Sequence, residues 1–119
     1  MAIMHKLYIG LNDKETKNQI LSTEQAEAII RLACIRMGLD YTIYKGNGIY
    51  THESGMNTIE QVLILEFIEF QSPIVDIVKA LANYLKGRLN QETILYTITE
   101  LKESELLWHK KWTKFKYNT

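Results

Sequence analysis

Apolar residues recur along this chain with two different periods. In "HKLYIGLN", residues 5–12, Leu7 and Ile9 fall on one side and Lys6 and Tyr8 on the other, which predicts a half-buried strand. Residues 1–4 read as a ragged start before it, and "NDKETKNQI" as a polar connection after it. The period then lengthens in "STEQAEAIIRLACIRMG". Ala26, Ile29, Ile30, Ala33, Cys34 and Met37 recur at steps of three and four, which places them on one helical face. Ser22 with Gln25 has the spacing of a capping box at the start of this helix, and Gly38 is placed as its left-handed stop.

Alternation returns in "YTIYKGNGIY". Tyr41, Ile43 and Ile49 suit a strand, whereas Gly46 and Gly48 predict an interruption, a bulge or a hairpin. "THESGMN" supplies a turn. "TIEQVLILEFIEF" follows as a long strand whose centre, Val62 to Leu65, is apolar on both faces and is therefore expected to be covered twice. Ser72 and Pro73 have the order of a cap and a first-turn proline. Ile74, Ile77, Val78, Leu81, Tyr84 and Leu85 then trace the buried stripe of a second helix, with Gly87 near its end. "ETILYTITE" alternates again, with Ile94, Tyr96 and Ile98 on one face.

The order β-α-β-β-α-β predicts an α+β protein with a ferredoxin-like build: a four-stranded antiparallel sheet with both helices on one face. Right-handed crossovers put the first and third strands at the centre. Residues 1–107 form the single domain, and 108–119 a basic, aromatic C-terminal tail. With both helices on one side, either Val62 and Ile64 or Leu63 and Leu65 would lie bare on the other. That predicts cover by the tail or by a second copy, and a homo-oligomer of at least a dimer.

Composition narrows the function. Fourteen basic residues balance fourteen acidic ones, so no global field draws the chain to nucleic acid or to a membrane. No apolar run is long enough to span a bilayer, and the single cysteine, Cys34, reads as a small buried hydrophobe. These features suit the cytoplasm. An RNA-binding face would need exposed aromatics where "IEQVLILEFIEF" is acidic and aliphatic, so nucleic acid is disfavoured as a partner.

No catalytic or metal-binding spacing is present. His52 and Glu53 are neighbours that an extended chain points to opposite faces, and His5 and His109 are remote in sequence. "KGNG" lacks the lysine and hydroxyl that close a Walker loop and the strand-to-helix setting of a dinucleotide loop. Its glycines still let backbone N–H groups approach an anion, beside Tyr44, Lys45, Asn47 and Tyr50. Of the three arginines, Arg31, Arg36 and Arg88, the first and last remain open as phosphate clamps. In "WHKKWTKFKY", Trp108, Trp112 and Phe115 form one aromatic stripe among Lys110, Lys111 and Lys114 if the segment is helical. Packing on the bare sheet face comes first for that stripe, ahead of stacking on a ligand.

In general build, with "YKGNGIY", "THE" and "WHKKW" as suitable chemistry, the chain resembles the small phage-encoded sponges of the Thoeris and CBASS defence systems. The resemblance implies non-enzymatic sequestration of a small anionic, nucleotide-like immune signal, such as a cyclic ADP-ribose derivative or a cyclic oligonucleotide, in the host cytoplasm. Local chemistry supplies the expected contacts. Tyr44, Tyr50, Trp108 or Trp112 would stack on the base, and Lys45, Arg88, Lys110 or Lys111 would meet phosphates. Asn47 and His52 would read hydroxyls or base edges. No cofactor, metal or catalytic residue is expected. A protein-binding inhibitor or adaptor acting through the tail and open sheet is the alternative, and a small enzyme of the dimeric α/β-barrel kind comes third.

Overall fold

The computed structural model describes residues 2–51 and 54–103. Its elements are β1 (Ala2–Gly10), α1 (Thr23–Arg36), β2 (Thr42–Thr51), β3 (Asn57–Glu69), α2 (Val75–Arg88) and β4 (Leu95–Leu101). The strands form one antiparallel sheet in the order β2-β3-β1-β4, so β1 and β3 are central. The fold is the expected α+β, ferredoxin-like sandwich.

Register assigns each strand residue to a face. Leu7 pairs with Leu65 and with Tyr96, and Ile9 with Leu63; these pack with Phe67 against Ala26, Ile30, Ala33 and Cys34 of α1 and Val78, Leu81 and Leu85 of α2. Each fully buried side chain of this kind is worth roughly 1.5–3 kcal/mol. Burial also pushes the Cys34 thiol up to about 11, as expected for a cysteine that serves as a core hydrophobe. The start of α1 is as its sequence predicts: Ser22 Oγ accepts the Gln25 N–H, and Gln25 Oε1 accepts the Ser22 N–H. Gly38 takes the left-handed φ of 69° just past the helix.

Three expectations need correction. Residues 2–4 are not a ragged start but the first part of β1, with Ala2 opposite Leu101 and Ile3 opposite Glu69. Gly46 and Gly48 do not interrupt β2, since each keeps its partner in an unbroken ladder, Val62 and Glu60. The positive φ, 87°, belongs instead to Gly55 in the turn. Helix α2 begins at Val75 rather than at Ser72–Pro73, because the Ile74 N–H donates to the Glu69 carboxylate at 3.1 Å. On the face away from the helices Val62 and Ile64 are only 8% exposed each, while Leu63 and Leu65 are buried beneath the helices. The tail, residues 108–119, lies outside the described residues.

Glu69 also holds a buried histidine. His5 is fully enclosed, with Nε2 3.0 Å from Glu69 Oε1 and Nδ1 2.5 Å from the Tyr96 hydroxyl. With Glu69 ionised, Nε2–H donates to it, and in a neutral ring Nδ1 then accepts the Tyr96 O–H. Burial, and then the Glu69 charge, raise the pKa of Tyr96, which keeps that hydroxyl protonated. The network ties β1, β3 and β4 to the start of α2.

Candidate functional site

The sheet face away from the helices carries a cleft of about 570 Å³, within the range of small-molecule sites. Four strands and two loops build it. β1 gives Tyr8 and Gly10, β2 gives Gly46, Asn47 and Gly48, β3 gives Thr58, Glu60, Val62 and Ile64, and β4 gives Leu95. Asn12, Asp13, Lys14 and Lys17 come from the β1–α1 loop, and Gln91, Glu92 and Thr93 from the α2–β4 loop. The glycines have a physical reason to be here. A Cβ on Gly46 would sit 3.2 Å from the Ile64 side chain, so glycine keeps that wall low.

Gly10 governs where Glu60 lies. A Cβ there would lie 2.5 Å from the Glu60 carboxyl group, so the Glu60 side chain crosses β1 only because position 10 has none. Glu60 Oε2 then accepts the Asn12 N–H at 2.7 Å. The result is an oriented carboxylate beside an apolar floor of Val62, Ile64 and Leu95.

The loops are stapled to each other. The Asp13 carboxylate accepts the N–H groups of Glu15 and Thr16, each at 3.0 Å, and the Asn90 side-chain amide at 2.6 Å. These bonds, that from Asn90 foremost, hold the Asp13 carboxyl below its ordinary range. Gln91 Nε2 donates to the Asn12 carbonyl at 2.7 Å.

Of the residues singled out in the sequence, Asn47 lines the cleft. Tyr44 is on the same sheet face but donates to Glu66 at 2.8 Å, beside the Lys6–Glu66 ion pair at 3.3 Å; that bond raises the Tyr44 pKa. Lys45 stands opposite Leu63, on the helix side, with its Nζ 4.0 Å from Glu24. Tyr50 is placed by backbone pairing opposite Thr58. Arg88 ends α2 and borders a separate groove with Arg36 and Tyr84. His52, Trp108, Lys110, Lys111 and Trp112 lie outside the described residues.

Glu60, Lys14 and Lys17 were not singled out. The signal for Glu60 was an acid in phase with the apolar pair Val62 and Ile64. Among the described residues, no helix is long and apolar enough to cross a membrane, and no cluster of histidine, cysteine and carboxylates has the makings of a metal site.

No protein-family model matches the sequence, and no curated protein does. Solved structures do. A phage SAM lyase in complex with S-methyl-5′-thioadenosine superposes with a TM-score of 0.66 at 21% identity, over 83% of this chain and 81% of that one. A phage SAM lyase in the apo state gives 0.64 at 19% identity, over 82% and 78%. The divalent ion tolerance protein CutA1 from Ehrlichia chaffeensis gives 0.52 at 11% identity, over 97% and 92%. At these identities the likeness shows a shared fold.

The resemblance to phage-encoded proteins is thus met in part, by a phage protein of another class. The expected non-enzymatic sponge of nucleotide signals is corrected: the phage protein sharing this build is a lyase, an enzyme, and not a sequestering protein.

Proposed function

We propose that the chain is an enzyme that cleaves a sulfonium nucleoside of the S-adenosylmethionine class, releasing a methylthioadenosine. The observation that carries this reading is the cleft, where the Glu60 carboxylate lies over Gly10 beside an apolar floor. The shared fold with a lyase solved around S-methyl-5′-thioadenosine supports it.

The chemistry fits the residues. When the bond between sulfur and the amino-acid chain breaks, its electron pair stays on sulfur, and a cation becomes a neutral thioether. A carboxylate against the sulfonium would stabilise the substrate more than the transition state and slow the step. Apolar contact does the reverse, because a desolvated cation gains by losing its charge. Val62, Ile64 and Leu95 therefore suit the sulfonium, while Glu60 suits ribose hydroxyls, for which a carboxylate is a good acceptor. The low wall at Gly46 suits a flat ring. The remaining four-carbon fragment satisfies its valence by ring closure: its own carboxylate forms the new C–O bond as the C–S bond breaks, and neither water nor a base is needed.

We further propose that the enzyme is a homo-oligomer. Ile49 and Ile59, paired across the β2–β3 hairpin, are 68% and 70% exposed, and Met56 beside them is 70% exposed. A patch of this kind at the tip of a hairpin suits a second copy of the chain.

Incubation with S-adenosylmethionine, followed by mass spectrometry, tests the activity. Methylthioadenosine should accumulate with a four-carbon co-product, and S-adenosylhomocysteine, which has no sulfonium, should stay intact. Intact S-adenosylmethionine, with no thermal shift from methylthioadenosine, would overturn the reading.

A further inference from the structure

The two ends of the cleft differ in chemistry. The end formed by Gly46 and Gly48 is low and has no cation, with Glu60 opposite Gly48, whereas the loop end carries Lys14 and Lys17. We propose that Lys14 and Lys17 are the subsite for the α-carboxylate of the substrate's amino-acid end, so that this carboxylate is required for recognition. The inference rests on the reading of the cleft as a sulfonium-nucleoside site and assigns the residues that distinguish substrate from product.

The β1–α1 loop is built as a fixed platform for these lysines. The Asp13 N–H donates to the Asn18 carbonyl, and the Lys17 N–H to the Asp13 carbonyl, both at 2.8 Å. Asn12 and Gln19 close the base of the loop as an isolated bridge. The Lys14 N–H reaches across to the Asn90 carbonyl at 3.0 Å. Lys17 itself sits at a φ of 63°, a left-handed conformation that glycine or asparagine would adopt at less cost. A lysine kept there by its neighbours is a reason to look for a ligand.

The surrounding charges leave the two ammonium groups available. Among the described residues, neither Lys14 nor Lys17 forms an ion pair, although both border the cleft. Asp13 is occupied by the Asn90 amide and two loop N–H groups, and Glu60 is held by the Asn12 N–H. Glu92, the other acid of the cleft, stands on the opposite loop and is placed to meet an α-ammonium. A zwitterionic amino-acid end thus finds a cationic and an anionic loop facing it, and the nucleoside part is left to the glycine end.

Methylthioadenosine lacks the amino-acid end, which supplies the test. In the Lys14→Ala/Lys17→Ala variant of the full chain, the KM for S-adenosylmethionine should rise about tenfold or more, the loss expected for charge-assisted bonds. Calorimetric affinity for methylthioadenosine should stay within about twofold. Wild type should bind decarboxylated S-adenosylmethionine, measured by calorimetry, as weakly as the variant binds the full substrate, and Lys→Arg replacement should bring the KM most of the way back. An unchanged KM would overturn the assignment, as would equal losses for substrate and product, which would make the lysines mere supports of the loop. A wild-type protein that neither cleaves S-adenosylmethionine nor binds methylthioadenosine would instead sink the parent reading.

Discussion

Glu60 and Gly10 act as one unit, although 50 positions separate them. The carboxylate reaches the cleft only across a residue without a side chain, so Gly10→Ala should displace it without touching it chemically. The proposed cleavage of S-adenosylmethionine should fall about tenfold or more, consistent with losing one charge-assisted bond. The melting temperature should move little, because alanine suits a strand at least as well as glycine. Steady-state kinetics beside a thermal melt would check both. This pair was hard to read from sequence because Glu60 stands at the polar start of "IEQVLILEFIEF", and nothing local to it points to a glycine on another strand. Asn47 was legible, since the two glycines around it marked a place where backbone could come close to a ligand.

The helices show why local signals suffice in one place and fail in another. Both halves of the α1 cap are three residues apart in sequence, so Ser22 and Gln25 could be recognised without any tertiary knowledge. No side chain caps α2 in this way; Glu69, at the end of β3, instead accepts the N–H of its N-cap residue Ile74 and also that of His5. Proximity in space, not in sequence, overrode Ser72 and Pro73. Ser22→Ala should therefore cost about 1 kcal/mol, the usual value of a cap. Glu69→Ala should cost more, about 3 kcal/mol, because it leaves both the His5 and Ile74 N–H groups without an acceptor in a largely buried setting. Denaturant melts of the two variants would rank them, and equal losses would mean that the buried network contributes nothing beyond capping.

At the scale of the molecule, periodicity alone specified the sheet order, since only one right-handed arrangement places the doubly apolar third strand inside. What lay bare was not legible. Alternation identified a second sheet face, but not that it would be folded into a cleft and that exposure would move to the hairpin. If that hairpin joins copies, Ile59→Lys should convert an oligomer to a monomer in sedimentation velocity while leaving the circular dichroism unchanged. The central position of β1 has one more consequence, a matter of timing. It is made first, yet it has a neighbour on each side, and the second of these, β4, ends at Leu101. Tyr8 and Leu95 face each other across that last pairing, and both border the cleft. On a ribosome adding roughly 5–20 residues per second, the helices and the β2–β3 hairpin can form while β1 still waits. One wall of the cleft is therefore late: a nascent chain released before β4 would carry the rest of the floor and the glycine wall from β1 to β3 but lack Leu95.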